Sequence, residues 1–582
     1  MRLARTAAAM AVAGATLVGA AWAGIGLAPM GTEHAGAPAE REGLAAATGS
    51  ALDAVQSLVG QESRSSAGGP VAPDLSGLRP LPDGEFLVGG AVTSLAPDPA
   101  RWQTEGCSEN LSNFPEEITH LAGLVVEGQF PGWPRSPDCV YLGGYGLGPA
   151  RAATGVDPHA GVNVRSLAIS NGEETLVWQT VDMVGYFNLY RPELCDGCGI
   201  LEIRRRMAAA TGMPIEHLAI GSTHTHGGAD GYGAWGGLPG WYREQIAEQI
   251  EHSAYDALRA MRPAALTIGS VEAPAFSNER RDTYYSAADY GAVWMQAEAR
   301  PDGRSQRPGT APEVIATLVN YAAHPVVLGP QSLMHGDWPA TASKALADRF
   351  GGTAMIVEGG LGNVSPRRPQ EREVDLTGDG TYDDYDKVIE MGADFAGFIA
   401  ADIARGGHRI LGNDIAAVGT TIEHPVTNAV ELLLGVGGLL DRAFLPGEGA
   451  GLAGSYTWSK GDEAGVLRSC VATSSNTIKT QVSAYRIGEL TMVTGPGELF
   501  STMTNVVKSR GGRRHQVDGG QVMAFAQTQD SLGYLIQSFE VDPLGGPTSA
   551  TGATEYEETF MLDRCFGDHV LETQLELLDQ LG

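Results

Sequence analysis

Imidazole, carboxylate and hydroxyl groups that could act together in catalysis each follow an apolar run of this sequence. His224 and His226 are two residues apart, so on an extended backbone both rings point to one side. That suits one metal ligand and one supporting or substrate contact. His324 supplies another imidazole and Glu498 a carboxylate. Two histidines and a glutamate are a common ligand set for catalytic zinc, which lowers the pKa of bound water and polarises carbonyl groups.

A serine in a glycine-rich turn offers a nucleophile to such a site. Ser365 ends the stretch Gly-Gly-Leu-Gly-Asn-Val-Ser, where a tight backbone can expose its hydroxyl. Taken alone, a loop serine or a histidine at a strand end is usually an ordinary polar residue with a hydrogen-bond partner. The combination predicts a catalytic metal site.

The elements that must position these groups are short and regular. Five apolar runs predict strands, at residues 218–220, 314–319, 355–357, 490–493 and 522–525. Helical periodicity marks residues 242–261 and 391–405. The alternation predicts an α/β fold in which a layered mixed β-sheet has helices packed outside it. Ligands of such folds bind beyond the carboxyl ends of strands, which is where the polar groups stand.

Length and charge narrow the function classes. The chain has 582 residues, with 69 acidic and 39 basic side chains and a net charge of −30. This acidity argues against nucleic acid as a partner, because phosphate binding needs a basic face. Residues 1–23 have the charged start, apolar run and small-residue cleavage site of a signal peptide, with a retained membrane anchor as the alternative.

The remaining chain divides into two parts by composition. Residues 24–83 are rich in Ala, Gly, Ser and Pro and are expected to form a linker, and residues 84–582 a single catalytic domain. We expect a secreted or cell-envelope protein with no transmembrane span in its mature form.

Six cysteines fit an exported protein, because disulfides persist outside the cytosol. Their order along the chain suggests Cys107–Cys139, Cys195–Cys198 and Cys470–Cys565 among the fifteen possible connectivities. The Cys195-Asp-Gly-Cys198 pair could instead be redox-active or half of a zinc site.

Several sequence blocks occur in an order that resembles the neutral ceramidase family. They are FLVGGAVTSLAP, TVDMVG, HLAIGSTHTHGG, VNYAAHP with HGDWPATAS, GGLGNVSP, TGPGELFSTM, SLGYLI and EYEETF. The resemblance runs from about Phe86 to Cys565, and THTHxG and the SP turn are its most specific parts. Because the chain ends soon after Cys565, the family's C-terminal immunoglobulin-like domain is expected to be absent.

The resemblance implies a zinc amidase that cleaves an N-acyl sphingoid base, or a related N-acyl lipid, to fatty acid and amine. It implies the following roles: zinc ligands His224, His324, Glu498 and Tyr534, nucleophile Ser365, substrate- or oxyanion-contacting Arg280, oxyanion donor Tyr556 and supporting residue His226. Asp337 matches a family aspartate to which no role is assigned.

Two other functions are compatible with the same residues. One is a zinc hydrolase for a different N-acyl or ester substrate. The other is a catalytically silent lipid- or envelope-binding protein that retains the fold.

A second metal candidate lies in an acidic loop. Asp375, Asp379, Asp383 and Asp386 partly fit the calcium-loop template, although Asp386 stands where that template has a glutamate. A solvated acidic loop is the favoured interpretation.

Overall fold

The structure is a computed structural model. It describes residues 70–107, 138–145, 150–281, 287–300, 312–370, 372–436, 440–442, 445–446, 454–461, 467–514, 521–541 and 556–581. The predicted signal peptide and most of the predicted linker lie outside these ranges.

Most described helices are amphipathic and bury one face. They are α1 (Ile200–Thr211), α2 (Gly240–Arg259), α3 (Asp337–Phe350), α4 (Asp384–Ile403), α5 (Ala429–Val436), α6 (Ser501–Arg514) and α7 (Phe566–Gln580). Two short 3₁₀ helices span Ile215–His217 and Tyr556–Phe560.

The described strands range from two to twelve residues. They are β1 (Phe86–Ser94), β2 (Tyr141–Leu142), β3 (Arg151–Ala152), β4 (Gly155–Val156), β5 (Asn163–Ser170), β6 (Thr175–Val181), β7 (Leu218–Ser222), β8 (Arg262–Glu272), β9 (Ser277–Glu279), β10 (Gly291–Ala299), β11 (Val314–Tyr321), β12 (Leu333–Met334), β13 (Thr353–Glu358), β14 (Val364–Pro366), β15 (His408–Arg409), β16 (Ile415–Pro425), β17 (Leu445–Pro446), β18 (Gly454–Gly461), β19 (Leu467–Ser474), β20 (Asn476–Ile487), β21 (Leu490–Thr494), β22 (Glu498–Leu499), β23 (Gln521–Phe525) and β24 (Tyr534–Leu535).

Two mixed sheets form the centre of the molecule. The first has the order β13-β11-β10-β8-β1-β5-β6-β7, with β15 beside β8. Its β11–β13 and β6–β7 pairs are parallel. The second sheet has the order β16-β20-β21-β23, with β17 beside β20, and its β21–β23 pair is parallel. Each parallel pair contains at least one strand that the sequence predicts to end at the site.

The two sheets pack face to face and the helices cover their outer faces. Leu167 and Trp178 of the first sheet share a core with Tyr485 and Met523 of the second. Helices α1 to α4 pack on the outer face of the first sheet. Helices α6 and α7 pack on the outer face of the second. The result is four layers in the order α/β/β/α, which confirms the predicted α/β fold class with helices outside.

The predicted strands and helices are present with small shifts in their ends. The five predicted runs lie within β7, β11, β13, β21 and β23. The two predicted helices correspond to α2 and α4, and α4 begins seven residues earlier than its apolar periodicity suggests. The earlier start follows from Asp383, whose carboxylate caps the first turn by accepting the backbone N–H groups of Tyr385 and Asp386.

The junction between the sheets is a buried hydrogen-bonded seam. Asn320 of β11 donates to the carbonyls of Val357 (3.0 Å) in its own sheet and Ala524 (2.8 Å) in the second sheet. Its side-chain oxygen accepts from the Ala524 N–H at 3.1 Å. Beyond β23, Gln527 accepts from the Ser222 N–H through its backbone carbonyl at 2.9 Å. The seam therefore fixes the ends of β7, β11 and β13 relative to the second sheet.

The described cysteines pair as their order suggests. Cys107–Cys139, Cys195–Cys198 and Cys470–Cys565 are disulfides, and no described cysteine is unpaired. The zinc half-site alternative for Cys195 and Cys198 is therefore wrong in this oxidised structure.

The described end of the predicted linker lies against the domain. The Leu81 N–H donates to the Asn171 carbonyl at 2.9 Å, and Ala72 and Leu75 pack on the core below α2. Among the described helices, none combines the length and apolar character needed to cross a bilayer.

Asn320→Ala is expected to destabilise the protein by about 2–4 kcal/mol, because it leaves buried backbone groups of both sheets unpaired. The midpoint of urea unfolding measures this loss. Asn505→Ala, which removes one exposed hydrogen bond on α6, is the control and is expected to cost less than about 0.5 kcal/mol. Equal midpoints for the two variants would show that the seam does not join the sheets energetically.

Candidate metal centre

Three buried histidines converge on one point beyond the carboxyl ends of the first sheet's strands. The Nε2 atoms of His224 and His324 are 3.2 Å apart, and those of His224 and His226 are 3.4 Å apart. All three side chains are at most 8% exposed. Ligand atoms of the three lie within 4.8 Å of one another, a separation that one metal ion can bridge.

Each of the three rings is oriented by a backbone carbonyl. The Nδ1 atom of His224 donates to Val184 at 2.6 Å, and that of His324 donates to Leu361 at 3.1 Å. His226 makes the same contact with Gly144. A proton held on Nδ1 leaves the Nε2 lone pair available, which is how metal-ligating histidines are commonly oriented.

This arrangement fits a cation and is unfavourable without one. Neutral imidazoles with protons on Nδ1 present three lone pairs to each other at hydrogen-bond distance, with no donor between them. The carboxylate of Glu498 adds negative charge, since its Oε2 atom lies 3.4 Å from Nε2 of His224 and 3.6 Å from Nε2 of His324. That oxygen is buried and accepts no hydrogen bond from the described residues. Three nitrogens and one oxygen suit zinc among the common divalent ions.

Burial keeps two of these rings neutral. It lowers the pKa of His226 well below the usual histidine range, and the neighbouring His224 lowers it further. Burial likewise lowers the pKa of His324, with the Arg280 charge as the next cause. Neutral imidazole is the form that binds a metal.

Glu498 and Tyr534 come from the second sheet's side of the site. They stand opposite each other in the short parallel pair β22–β24. Tyr534 is buried, and its ring packs edge-on against Phe500 at a centroid separation of 6.3 Å. The predicted ligand Tyr534 therefore lies directly beside Glu498.

The predicted extended backbone at the histidine pair is wrong, although the predicted convergence is present. Strand β7 ends at Ser222, and His224 has a left-handed φ of 62°. Such a φ is uncommon for a residue with a side chain and clusters at functional sites. At this turn the His224 ring contacts the Val184 carbonyl and the His226 ring the Gly144 carbonyl, and their Nε2 atoms are 3.4 Å apart. His226, predicted as a supporting residue, is thus a third candidate metal ligand.

Ser365 lies on a small strand pair next to the histidines. Strand β14 pairs antiparallel with β9, so that Ser365 is opposite Asn278. The preceding residue, Val364, accepts a hydrogen bond from the backbone N–H of His324 at 3.1 Å. One backbone contact thus connects the predicted nucleophile to a candidate metal ligand.

Adjacent arginines have separate surroundings. Arg281 is buried and makes a bidentate ion pair with Glu558, at 2.7 and 3.1 Å. The backbone N–H of Arg280 donates to Asn363 at 2.9 Å, and its guanidinium contacts the Gly362 carbonyl and Glu557. Arg280 therefore borders the loop of Ser365, whereas Arg281 is committed to a structural pair.

The other predicted site residues have mixed outcomes. Tyr556 begins a described 3₁₀ helix, but its side chain lies outside the described part of the structure. Asp337, with a φ of 51°, accepts the backbone N–H groups of Val327, Leu328 and Trp338. Its carboxylate therefore organises the loop between His324 and α3.

Two residues at the site were not singled out by the sequence. Tyr145 stacks on His226 with ring centroids 4.7 Å apart. Arg151 donates to the backbone carbonyls of His226 (2.9 Å) and Gly143. The only signal for Tyr145 is its place after two glycines, which is too general to indicate a contact with a distant histidine.

The acidic loop before α4 does not gather its carboxylates around one point. Asp375 accepts the Gly378 and Gly380 N–H groups, and Asp386 accepts those of Leu376 and Thr377. Asp379 and Asp383 bind nearby turn and helix N–H groups. The histidine cluster is the one group of three or more converging metal-ligand side chains among the residues that the structure describes.

Comparison with known proteins supports the fold. No protein-family model matches the chain, and no curated protein matches it in sequence. The solved neutral ceramidase from Pseudomonas aeruginosa is 13% identical, with a TM-score of 0.56 over 86% of this chain and 75% of that chain. A structure of a ceramidase complexed with C2 is 14% identical, with the same TM-score and coverage. The chain therefore has a ceramidase-like fold.

We expect the purified protein to contain about one divalent metal ion per chain. His324→Ala removes one of the converging nitrogens and is expected to reduce metal content at least tenfold after dialysis against a weak chelator. Elemental analysis by mass spectrometry measures this content. His252→Ala, at an exposed position of α2, is the control and should leave it unchanged. Equal metal content in the two variants would contradict the assigned site.

Proposed function

We propose that the chain is a secreted zinc-dependent amide hydrolase that cleaves an N-acyl sphingoid base or a related N-acyl lipid. The observation that carries this proposal is the buried cluster of three imidazoles whose Nε2 atoms face one another and the Glu498 carboxylate. The fold shared with ceramidase structures supports the same reaction class. Zinc bound there would supply Lewis-acid polarisation of the substrate carbonyl.

Ser365 is the proposed nucleophile. Its hydroxyl oxygen attacks the amide carbonyl carbon, the C–N bond breaks, and the amine leaves with a proton. Water then hydrolyses the acyl-serine ester, which releases the fatty acid and restores the serine. The backbone contact between Val364 and His324 supports this role, because it holds β14, which carries Ser365, against the loop that carries His324.

Arg280 and Tyr556 are proposed to act on the substrate carbonyl oxygen. The guanidinium of Arg280 is partly exposed, at 20%, and borders the Ser365 loop. Its positive charge contributes to lowering the pKa of His324. Preorganised donors of this kind typically contribute about 2.7–4 kcal/mol each to transition-state stabilisation. Tyr534 is proposed as a further zinc ligand beside Glu498.

Export is proposed from the first 23 residues and the disulfides. Three disulfides among the described residues suit an oxidising compartment. The substrate is then a lipid or N-acyl amide encountered outside the cytosol.

Ser365→Ala is expected to lower hydrolysis of a short-chain fluorescent ceramide by at least about 10³-fold while zinc content stays at one per chain. The reason is that the substitution removes the nucleophile and no proposed ligand. Ser509→Ala, on an exposed face of α6, is the matched control. A chelator should abolish turnover of the wild-type protein. If Ser365→Ala lost zinc but kept its activity per bound ion, the nucleophile assignment would be wrong.

Arg280→Gln and Arg281→Gln are expected to fail in different ways. Arg280→Gln should reduce kcat by about 10²-fold with little change in thermal unfolding, because it removes a donor at the substrate. Arg281→Gln leaves the buried Glu558 without its bidentate partner and should cost about 3–5 kcal/mol of stability. Activity assays and calorimetric melting separate the two effects. The reverse pattern would assign the substrate contact to Arg281.

A further inference from the structure

A groove of about 630 Å³ is lined in part by Pro366, the residue that follows the proposed nucleophile. Val326 and Val327 line one side, residues 366–369 another, and Asp384 and Lys387 of α4 the third. Two of its lining residues are close in sequence to site residues, since Pro366 follows Ser365 and Val326 stands two residues after His324.

The groove has an excess of positive charge in a strongly acidic protein. Its lining contains Arg367, Arg368 and Lys387 against one carboxylate, that of Asp384. Lys387 pairs with Asp384 at 2.7 Å, and Asp384 also accepts from Gln331. These contacts balance one cation of the groove with its one lining anion.

The two arginines differ in what they bind. Arg368 donates to the Tyr382 hydroxyl at 3.0 Å and pairs with Glu390 at 3.2 Å, so its charge is committed to α4 and the preceding loop. Glu390 also binds Arg372. Arg367 is exposed, and its guanidinium makes no hydrogen bond or ion pair with the residues that the structure describes. Arg367 is therefore the cation of the groove that can receive a ligand.

Backbone geometry puts Arg367 on the same side of its strand as Ser365. The backbone N–H of Arg367 donates to Phe276 at 2.8 Å, which continues the β9–β14 pairing by one residue. Side chains two residues apart on a strand point to the same face. Burial agrees, because Ser365 and its cross-strand partner Asn278 are accessible whereas Val364 and Ser277 are buried.

We propose that Arg367 binds an anionic group of the substrate, and that the preferred substrates are N-acyl amines whose amine part carries a carboxylate or similar anion. This inference rests on the proposed amidase function and specifies its substrate class. The guanidinium suits a carboxylate because its planar set of donors can bind both oxygens.

Distance requires the anion to lie close to the scissile bond, which in an amide with an unsubstituted acyl chain means on the amine part. Two residues of extended strand separate the Ser365 and Arg367 backbones, which is about 7 Å. An α-carboxylate lies two bonds from the amide nitrogen and is within this range. An anion at the far end of a long acyl chain is not.

The test compares two amides that differ in one group. N-dodecanoylglycine carries a carboxylate where N-dodecanoylethanolamine carries a hydroxymethyl group. For the full-length, zinc-containing protein, we expect kcat/KM to favour the glycine amide about tenfold, since a charge-assisted hydrogen bond is stronger than a neutral one. This ratio should fall as ionic strength rises. Arg367→Gln should bring it to within about twofold of unity, and Arg367→Lys should keep part of it.

The control and a binding measurement keep the outcomes distinct. Arg405→Gln, at an exposed position after α4, should leave the ratio unchanged. Calorimetric titration of both amides into the Ser365→Ala protein, with and without Arg367→Gln, reports the preference without turnover. Absence of hydrolysis of every amide by zinc-loaded protein would reject the proposed amidase. Equal or undetectable binding of the two amides, or a preference that Arg367→Gln does not change, would overturn the anion subsite itself.

Discussion

The candidate metal centre depends on the hydrogen-bonded seam that fixes one β-sheet against the other. The histidines follow strands of the first sheet, whereas Glu498 and Tyr534 belong to the short pair beside the second. Hydrophobic contact between sheets is non-directional and tolerates sliding, but the paired amide and backbone groups at Asn320 and Ala524 do not. The seam thus supplies the register that brings ligands from two sheets to one point. Strand β14, which carries Ser365, is held in the same register by the hydrogen bond from the His324 N–H to the Val364 carbonyl.

Without a bound ion, the arrangement of the three histidines is energetically unfavourable. Burial disfavours their charged forms, and the left-handed backbone at His224 stores strain. Three carbonyls fix the rings so that the lone pairs face one another. A bound cation converts this repulsion into attraction. The site is therefore preorganised for an ion, and the surrounding structure supplies the stability that the apo arrangement lacks.

The sequence predicted the fold class and the five strands whose ends carry the chemistry, because buried strands leave continuous apolar runs and polar groups follow them directly. It also placed His224, His324 and Glu498 near one another, since strand ends of one layered fold meet at one edge. It did not predict the equal position of His226, because a left-handed φ at a non-glycine residue leaves no composition signal. The stacking of Tyr145 and the loop-organising contacts of Asp337 depend on tertiary packing, and their local sequence carries neither.

The Cys470–Cys565 bridge closes a ring of chain that contains Glu498 and Tyr534 but none of the three histidines. In the loop-entropy model, a bridge that spans 95 residues raises the free energy of the unfolded chain by roughly 4–5 kcal/mol, because it reduces that chain's conformational entropy. The bridge therefore restrains the chain around Glu498 and Tyr534 covalently, but not the chain around the histidines. Once the bridge has formed, the segment that carries Glu498 and Tyr534 has fewer conformations to sample during folding. The segments that carry the three histidines have no such covalent restraint and are positioned by packing and hydrogen bonds. In a reducing environment the bridge would be absent, and both groups of side chains would be positioned by non-covalent contacts alone.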